Sequence, residues 1–586
     1  MARPGRVLRV YWPLVALLGG QLVLAAVAPS TGHRTLAGPG QVSLGTVIQP
    51  DAPASSAPGA VVASATAATS AAASAAPGAS VAPVTVGGVT SAPAVGGPST
   101  AVAPGGPTRS APRSTAVTAT KDVSKCAPGG AVQLKVTSQS PPCKPAIPAA
   151  QNGGATAMGV TSSSITVVLY QAKVNPTVNA VEAGAGLGED PAKQAVAAQA
   201  FTTFFNKHYE LAGRQIVLKT FSGNCTVDPP DNDCLRDDAR TIVSTLKPFW
   251  VIWPTGRPSF FDELSKAGVL NSGGLTFSGS FNRAHAPYHY SAFTSGDRMA
   301  KSVASYWCNR LAGKPASLAG DANLKTKTRR LGILVREEPA NEEAAELLAS
   351  LVSGGPGAAC SRERPLIITF SQDIATAQEQ AGTAIAKLRQ GGVTTVASVS
   401  SALELVLQMS GFSTNGYHPE NLLVGTGLVD QDAAGRLIDS SEWRNAFGLG
   451  DNPVQLPADQ TDASKAFRDG GQSGNPYAQA AITFQELQLM AWQLQAASPR
   501  LTPVDVAKAT FAMPIIGDWS TDGHDPYAVR WQVTNDDYSG PSDARQIYWD
   551  PNATSTADGA RGAYVNVDGG HRYVDGAFPA GEPKQP

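Results

Sequence analysis

The sequence predicts an α/β protein built from doubly wound parallel sheets. Short apolar runs rich in β-branched residues recur between residues 159 and 430, and each is followed by a polar turn and an amphipathic helical stretch. These runs are too short for helices and too apolar for edge strands, which is typical of buried parallel strands. They comprise residues 164–169, 215–218, 249–253, 331–335, 366–370 and 421–425. The alternation of strands and helices therefore indicates open sheets covered on both faces.

The helices between these strands can be placed from their start signals and their periodicity. Asp190 is a candidate N-cap because Pro191 follows it at the first helical position, and apolar residues continue at helical spacing through 195–208. Further helices are predicted over 233–246, 259–267 and 297–311. The strands that begin at Leu331, Leu366, Thr394 and Asn421 then form a second series. The long apolar helix 478–495 is predicted to return to the first sheet.

Composition and charge exclude some classes of function. The chain has 586 residues, a formal net charge of −1 and only 16% charged residues. A chain so close to neutral has no long-range field to attract nucleic acid, so we predict no nucleic-acid partner. The cluster Lys325, Lys327, Arg329 and Arg330 is predicted to be a solvated face that precedes a strand.

The first 125 residues differ from the rest of the chain. Arginines at 3, 6 and 9 precede an apolar stretch at 10–28, so residues 1–29 are predicted to be a cleaved signal peptide or a retained membrane anchor. Residues 30–125 consist mainly of Ala, Pro, Gly, Ser, Thr and Val, a composition that buries too little apolar surface to fold. We predict a disordered tether, or a linker with no role beyond spacing. Both interpretations place the bulk of the chain outside the cytoplasm.

All six cysteines lie beyond this tether, at 126, 143, 225, 234, 308 and 360. An even number of cysteines in an exported chain favours disulfides over free thiols. Six cysteines allow fifteen pairings, and we favour the neighbour pairs Cys126–Cys143, Cys225–Cys234 and Cys308–Cys360. A zinc site is the alternative, but it lacks a C-x-x-C motif and a nearby histidine. We therefore predict neither a metal nor another cofactor.

Candidate binding residues follow from where the predicted strands end. Open α/β sheets bind ligands in the crevice beyond the carboxyl ends of their strands. The turn after the third strand offers free backbone N–H groups and hydroxyls for an anion, while glycines after the next strand allow close backbone approach. The candidates are Tyr170, Gln171, Trp253, Thr255, Gly256, Arg257, Ser259, Gly274 and Thr276.

Structural roles are the alternative for several of these residues. Ser259 can cap a helix, Trp253 can belong to the core, and Gly273–Gly274 can form a bulge. No phosphate-binding loop, Gly-x-Ser-x-Gly elbow or His-Glu-x-x-His helix occurs, and no nucleophile with a partner base is visible. We therefore predict a binding protein and not an enzyme.

The chain also resembles a known family, the type I periplasmic-binding-protein fold, and in particular the branched-chain amino-acid receptors of ABC transporters. The resemblance covers roughly 157–577. It is carried by the stretches 159–167, 212–216, 237–240, 293–298, 417–423 and 568–573. It implies two doubly wound lobes joined by a multi-strand hinge, which close on a small solute.

The resemblance also implies how the segments divide between the lobes. A lead-in that carries a disulfide spans 126–157, and residues 578–586 form a tail. The first lobe is expected to contain 158–290 and 440–515. The second lobe and the hinge are expected to contain 291–439 and 516–577.

In the second lobe, the family's receptors use an aromatic residue and an acid to hold the ligand's ammonium group. Here the corresponding strand ends carry Ser400 and Thr426, and Glu338 is the acid best placed to compensate, unless it is a solvated charge. The resulting hypothesis is a monomeric, exported receptor that passes a small polar or amphipathic solute to an ABC permease. Amino-acid-like molecules, amides and short peptides are the candidate solutes. The alternative is a tethered surface sensor or interaction module that kept the fold without serving transport.

Overall fold

The computed structural model describes residues 122–583, apart from 135–136, 185–187, 228, 355–359, 362, 372–375, 427, 518–528 and 575–576. The predicted signal or anchor at 1–29, and the tether up to residue 121, lie outside the described residues. Within the described part of the chain, no helix has the length and apolar character needed to cross a membrane.

The described strands form two sheets. The first contains β1 (Ser164–Gln171), β2 (Gln215–Ser222), β3 (Trp250–Trp253), β4 (Leu270–Gly273) and β5 (His289–Tyr290). The second contains β6 (Leu331–Arg336), β7 (Leu366–Phe370), β8 (Thr395–Val399), β9 (Glu420–Gly425), β10 (Ala446–Gly450), β11 (Asp543–Thr554), β12 (Arg561–Asn566) and β13 (Arg572–Val574). The predicted α/β fold class with two sheets is confirmed.

Both sheets repeat one topology. The first has the strand order β2-β1-β3-β4-β5, and the second contains β7-β6-β8-β9-β10, so each reads 2-1-3-4-5 in its own numbering. The strands within each of these sets of five are parallel. The antiparallel strands β11, β12 and β13 extend the second sheet beyond β10. In this topology the strand order reverses between the first and third strands of each set, and ligands bind beside that point.

The helices lie between the strands in the chain. They are α1 (Pro176–Gly184), α2 (Pro191–His208), α3 (Asn232–Leu246), α4 (Pro258–Lys266), α5 (Gly279–Ala284), α6 (Gly296–Tyr306), α7 (Ala322–Lys325), α8 (Pro339–Ser353), α9 (Ala377–Gln390), α10 (Ala402–Thr414), α11 (Asp432–Gly435), α12 (Ser440–Trp443), α13 (Asp462–Asp469), α14 (Ala480–Ala497) and α15 (Pro503–Phe511). The predicted N-cap is present, since the Asp190 side chain accepts a hydrogen bond from the Lys193 backbone N–H at the start of α2.

Each sheet is buried on both faces. In β1, Ile165, Val167 and Leu169 belong to a core cluster shared with α2 and α14, while Val168 and Tyr170 point into a second cluster with α3 and α4. The second sheet likewise lies between two apolar clusters. Because both faces are covered, the strands read as continuous apolar runs in the sequence.

The chain passes between the sheets more than once. After β5 it enters the second sheet, and after β10 it returns to supply α13, α14 and α15 to the first; it then supplies β11 to the second. Residues 440–450, which we assigned to the first lobe, instead supply α12 and the buried strand β10 to the second sheet. Pairing of β10 with both β9 and β11 fixes this position.

The three favoured disulfides are present: Cys126–Cys143, Cys225–Cys234 and Cys308–Cys360. The first closes a lead-in that packs on the helices of the first sheet. There the ammonium group of Lys144 donates to the backbone oxygens of Gln495, Ala496 and Ser498 at 2.8, 2.9 and 2.6 Å, next to the end of α14. A cation at this position satisfies carbonyl groups that the helix leaves without partners.

Candidate functional site

A cavity of about 150 Å³ lies between the carboxyl ends of the two sheets. On the first-sheet side it is lined by the ends of β1 and β3 and by the start of α2; on the second-sheet side it is lined by the start of α10 and the segment after β9. We call this space the outer cavity. Its lining is Tyr170, Gln171, Ala172, Glu189, Asp190, Pro191, Gln194, Trp253, Pro254, Thr255, Leu275, Ser401, Ala402, Leu403, Leu428, Gln431, Ala434, Leu437, Tyr477, Gln479, Ile482 and Thr483.

Packing behind the cavity fixes the aromatic wall on the first-sheet side. The Tyr170 ring lies 4.6 Å from the Trp253 ring and 4.5 Å from the Phe260 ring, measured between centroids. Its hydroxyl donates to Asp238 Oδ2 at 2.8 Å. Burial raises the pKa of Tyr170, so this hydroxyl remains a protonated donor. Tyr170 and Trp253 thus present a rigid apolar surface to the cavity.

Amide and hydroxyl groups surround this apolar surface. Gln171 Nε2 donates to the Pro191 carbonyl at 2.6 Å and to Gln194 Oε1 at 3.0 Å, so the end of β1 is tied to the start of α2. Thr255 also lines the cavity and is half-buried. A wall that combines apolar surface with a few fixed polar groups is the usual composition of a small-molecule site.

The charged side chains in the described lining of the outer cavity are both acids. Among its described lining residues there is no lysine, arginine or histidine, whereas Glu189 and Asp190 both contribute. The hydrogen bond from the Lys193 backbone N–H lowers the pKa of Asp190, which favours its charged form. The Lys193 ammonium group, which lies outside the lining, is 3.1 Å from Asp190 Oδ2, so the charge of Asp190 is partly balanced.

A second cavity of about 40 Å³ adjoins the first. Leu275 and Leu428 line both spaces, so these two side chains form the partition between them. We call this space the inner cavity. Its polar lining includes Thr276, Thr294, Thr426, Asp451 and Gln485, together with Gln139 from the disulfide-bearing lead-in. Two of the predicted residues, Thr276 and Thr426, line this space, and they follow strands of different sheets.

The structure brings six of the predicted residues to these two spaces: Tyr170, Gln171, Trp253 and Thr255 at the outer cavity, and Thr276 and Thr426 at the inner one.

The other predicted residues serve as supports or lie elsewhere. Gly256 packs against Phe261, where a Cβ atom would lie 2.3 Å from the ring, and a Cβ atom on Gly274 would lie 2.3 Å from the Phe277 ring. Arg257 Nη2 donates to the Val227 carbonyl at 3.1 Å. Ser259 Oγ donates to Asn232 Oδ1 at 2.8 Å. This bond, and not the capping bond considered from the sequence, holds the Ser259 hydroxyl.

On the second-sheet side, Glu338 and Ser400 do not line the two cavities. Glu338 begins α8, accepts a hydrogen bond from Asn341 Nδ2 at 3.1 Å, and lines a separate open groove together with Ser259. Ser400 is buried, and the next residue, Ser401, lines the outer cavity and caps α10. The serine that lines the cavity is therefore Ser401, one residue after the predicted Ser400.

Several lining residues were missed because they come from helices that return to the first sheet. Ile482 and Thr483 lie in the first turn of α14, and Tyr477 and Gln479 lie just before it, more than 200 residues after β4 in the chain. The sequence predicts the helix, but it does not show which strand ends lie beneath the start of that helix. Gln194 could have been predicted from the sequence, because it lies one helical turn after Asp190, the recognised N-cap of α2.

One group of metal-binding side chain types occurs among the described residues, Cys225 with Cys234 and Asp238. The two sulfur atoms are bonded to each other at 2.08 Å. A disulfide offers no thiolate for a metal, so this group is a structural crosslink beside the aromatic wall.

The chain was also compared with known proteins. No protein-family model matches it, and no curated protein matches its sequence. It is similar to the leucine-, isoleucine-, valine-, threonine- and alanine-binding protein from Brucella ovis in its closed conformation, with 11% identity and a TM-score of 0.48 over 72% of this chain and 98% of that chain.

Two further structures show the same kind of likeness. A periplasmic binding protein type 1 from Bordetella pertussis Tohama I has 13% identity and a TM-score of 0.47 over 69% of this chain and 100% of that chain. An ABC-transporter solute-binding protein from R. palustris, in complex with 4-hydroxybenzoate, has 11% identity and a TM-score of 0.44 over 68% and 97%.

Proposed function

We propose that this protein is an extracytoplasmic solute-binding protein, which captures a small polar or amphipathic molecule between its two sheets for an ABC-type uptake system. One observation carries the proposal: the carboxyl ends of strands from both sheets converge on one cavity of about 150 Å³. A ligand there contacts both halves of the protein at once, so binding favours the closed arrangement over an open one.

The composition of the cavity supports binding without chemistry. Its side chains are aromatic, aliphatic, amide and hydroxyl groups, and the two acids are adjacent in the chain at the start of α2. Such a site fixes the orientation of a ligand through hydrogen bonds and holds its apolar part by burial. Amino-acid-like molecules, amides and short peptides fit this description.

The cellular setting of the proposal rests on the sequence and on the disulfides. Three disulfides persist in an oxidising compartment and not in the cytosol. The export-type stretch at 1–29 and the long Ala/Pro/Gly-rich segment that follows fit a protein held at, or released from, the outer surface of the membrane. We propose a monomer that presents both halves to a permease.

Calorimetry against a panel of amino acids, amides, short peptides and small aromatic acids tests the proposal. The wild-type protein is expected to bind at least one member with a micromolar constant, which corresponds to about 8 kcal/mol. Ala402→Trp fills the cavity from the second-sheet side and is expected to abolish this binding. Ala386→Trp is the matched control, because Ala386 is exposed on α9 and does not line the cavity. Unchanged binding in the Ala402→Trp variant contradicts the proposed site.

A surface sensor or interaction module is the second candidate. It is favoured by the second-sheet wall, whose described lining residues are Ser401, Ala402, Leu403, Leu428, Gln431, Ala434 and Leu437, without an aromatic or charged side chain. A protein of this kind would bind no member of a broad solute panel, whereas an intact protein partner would still protect it from thermal unfolding. The same calorimetric panel therefore separates the two candidates.

A further inference from the structure

The disulfide-bearing lead-in reaches the space between the two halves of the protein. We call residues 126–143 the lead-in loop, because the Cys126–Cys143 disulfide closes them into a loop and Val132 and Pro142 form a β-bridge within it. Ser138 and Gln139 follow this bridge toward the tip. Gln139 lines the inner cavity with a relative exposure of only 8%, so it is part of the packed structure there.

Gln139 holds the backbone of a distant segment. Its Nε2 donates to the Val529 carbonyl at 2.5 Å. On the other side of this carbonyl lies Gly517, where a Cβ atom would be 2.3 Å from the Val529 oxygen and 3.5 Å from Gln139 Cγ. The neighbouring residues Ile516 and Trp531 exchange two backbone hydrogen bonds of 3.1 and 2.7 Å. Gln139 therefore adds a third chain to a two-chain ladder.

The residue before Gln139 holds a different segment. Both the backbone N–H and the hydroxyl of Ser138 donate to Asp462 Oδ2, at 2.8 and 2.6 Å. Asp462 is the first residue of α13, where the chain returns from the second sheet to the first. The Thr137 hydroxyl donates to the Gln139 carbonyl at 2.5 Å and fixes the tip between these two contacts. Two adjacent side chains thus join two segments that are far apart in the sequence.

The segment that Gln139 holds contacts both halves of the protein. The Arg530 backbone N–H donates to both carboxylate oxygens of Asp543 at 3.2 Å, and the Ser542 N–H donates to the Arg530 carbonyl at 2.9 Å. Asp543 begins β11 in the second sheet and pairs with Arg572 at 2.9 Å. The side chains on either side of Arg530 belong instead to the core of the first sheet. Residues 529–531 therefore lie where one half gives way to the other.

The inner cavity lies among the three connections between the sheets. Its lining includes residues 292–294 from the first connection, 451–453 from the second, and 529, 531 and 541 from the third. Gln139 adds a fourth segment, from a part of the chain that precedes β1. When two halves of a protein open about a hinge, the connecting segments absorb the change in backbone angles. A contact that fixes these segments therefore limits the opening.

We propose that the lead-in loop restrains the hinge: Ser138 and Gln139 hold the second and third connections on the first half, and so limit how far the two halves open. Gln139 is a positioning residue in this role, since it acts through Val529. A third connection that is held at Val529 can bend only beyond that residue, whereas a released one bends over a longer stretch. The loop lies before residues 157–577, so the family resemblance assigns it no role.

The Cys126–Cys143 disulfide is then expected to act on the hinge from a distance. Neither cysteine is among the described residues that line the two cavities. The rest of the loop is fixed on helices of the first half, where Gln133 Nε2 donates to the His208 carbonyl at the end of α2 at 2.9 Å. The crosslink keeps the tip in place relative to these helices, because it restricts the conformations that a released loop could adopt. Loss of the crosslink should therefore resemble loss of the Gln139 side chain.

The distance between the halves tests the proposal without a ligand. Spin labels on Thr245→Cys and Ala386→Cys, which are exposed positions on α3 and α9, report this distance by double electron–electron resonance in the full chain. Gln139→Ala and the pair Cys126→Ser with Cys143→Ser are each expected to shift the distribution to longer distances relative to the labelled parent. Distributions that match the parent in both variants overturn the proposal.

Matched variants separate a restraint on the hinge from a general loss of structure. Gln199→Ala removes an exposed glutamine on α2, and Cys308→Ser with Cys360→Ser removes a crosslink of the second half; both are expected to leave the distribution unchanged. Gln139→Ala combined with the Cys126 and Cys143 changes should shift it no further than the larger single effect, because both act on one contact. Shifts that add would overturn this common action. If the crosslink variant fails to fold, the comparison of Gln139→Ala with Gln199→Ala decides.

Solute affinity is a second measurement, and this part of the inference rests on the proposed solute-binding function. For any member of the calorimetric panel that the wild type binds, Gln139→Ala is expected to lower the affinity about 2- to 10-fold, the range produced by loss of one hydrogen bond. The reason is that the open protein is more populated and the binding-competent fraction is smaller. Gln199→Ala is expected to keep the wild-type affinity.

Failure of the inference and failure of the proposed function have different results. If the distances shift as expected but the wild type binds no member of the panel, the hinge restraint stands and the proposed function is contradicted. If the wild type binds a solute while the distances and the affinity are the same in Gln139→Ala, the protein is a solute receptor whose hinge does not depend on the lead-in loop.

Discussion

Thr276 and Leu428 face the inner cavity from different sheets, and both have left-handed backbone, with φ angles of 62° and 63°. This conformation costs about 1–2 kcal/mol in a residue with a side chain. Among the described residues only Ala212, Lys247 and Asp568 share it outside glycine, and they do not line the two cavities. Backbone strain of this kind is often kept where a ligand is held.

Replacing Leu428 by glycine is expected to separate binding from stability. Relief of the backbone strain offsets the loss of a half-buried side chain, so the free energy of unfolding is expected to change by less than about 1 kcal/mol. Solute affinity is expected to fall, because the partition between the two cavities is removed. Urea denaturation and calorimetry measure the two quantities.

Lys247→Gly serves as its control. Lys247 also has positive φ, at 45°, but it ends α3 on an exposed surface. Glycine there is expected to stabilise the protein by about 1 kcal/mol and to leave solute affinity unchanged. If Leu428→Gly instead destabilised the protein by several kcal/mol with full affinity, Leu428 would be a packing residue only.

Glu486 is expected to make the protein less stable as the pH rises. Its side chain is fully buried on α14, where Oε1 accepts the Ala292 backbone N–H at 3.0 Å. Burial raises its pKa to about 8. Between about pH 4.5 and pH 8 the unfolded chain ionises this group and the folded protein does not, so unfolding becomes easier by about 1.4 kcal/mol per pH unit.

Glu486→Gln removes this effect. The free energy of unfolding of the variant, relative to the wild type, is expected to increase by several kcal/mol between pH 5 and pH 8, whatever constant offset the amide introduces. Urea denaturation at each pH measures the difference. Glu337→Gln changes an exposed acid and is expected to show no such increase. A difference that does not depend on pH would mean that Glu486 is ionised in the folded protein.

The sequence was sufficient to predict the first strands and the disulfides because their signals are local. A continuous apolar run such as 164–169 arises when both faces of a strand are buried, and β1 is covered on both faces. By contrast, Arg329 was predicted to be solvated with its basic neighbours, yet it forms a two-point ion pair with Glu420 and both side chains are buried. Its partner is 91 residues away in the chain, which no local pattern reports.

The candidate site was predictable only in part for the same reason. Tyr170, Trp253 and Thr255 follow strands that were recognised, and they do line the outer cavity. Asp451 was missed because β10 itself was not recognised: its sequence, AFGLG, contains two glycines and only three larger apolar residues. The antiparallel strands β11 to β13 were also missed, since they lie outside the repeating unit that revealed the others.

The disulfides Cys225–Cys234 and Cys308–Cys360 are expected to differ in how much they stabilise the protein. In the chain-entropy description, the 52-residue separation of Cys308 and Cys360 corresponds to about 4 kcal/mol, and the 9-residue separation of Cys225 and Cys234 to about 2.5 kcal/mol. Paired Cys→Ala variants of each crosslink, measured by urea denaturation, are expected to keep this order. The reverse order would mean that the aromatic wall beside Cys225 depends on its crosslink more than chain entropy predicts.

His289 is expected to act on stability with the opposite sign to Glu486. It is fully buried among the rings of Phe261, Phe277 and Phe281, and its Nδ1 lies 2.7 Å from Asn271 Oδ1. The amide oxygen is an acceptor, so Nδ1 carries the proton and donates it. Burial, together with the charge of His285, lowers the pKa of His289 well below its usual value.

Below about pH 6.5 the unfolded chain protonates this histidine while the folded protein resists protonation, so the protein is expected to lose about 1.4 kcal/mol per pH unit as the pH falls toward 5. His289→Phe places an aromatic side chain among the surrounding rings and removes the titrating group, although the Asn271 side-chain oxygen loses its hydrogen-bond donor. Its free energy of unfolding is expected to depend less on pH between 7 and 5 than that of the wild type, whereas His571→Gln, on an exposed residue, is expected to leave the dependence unchanged. Equal pH dependence in the wild type and in His289→Phe would show that the folded protein protonates this ring as readily as the unfolded chain does.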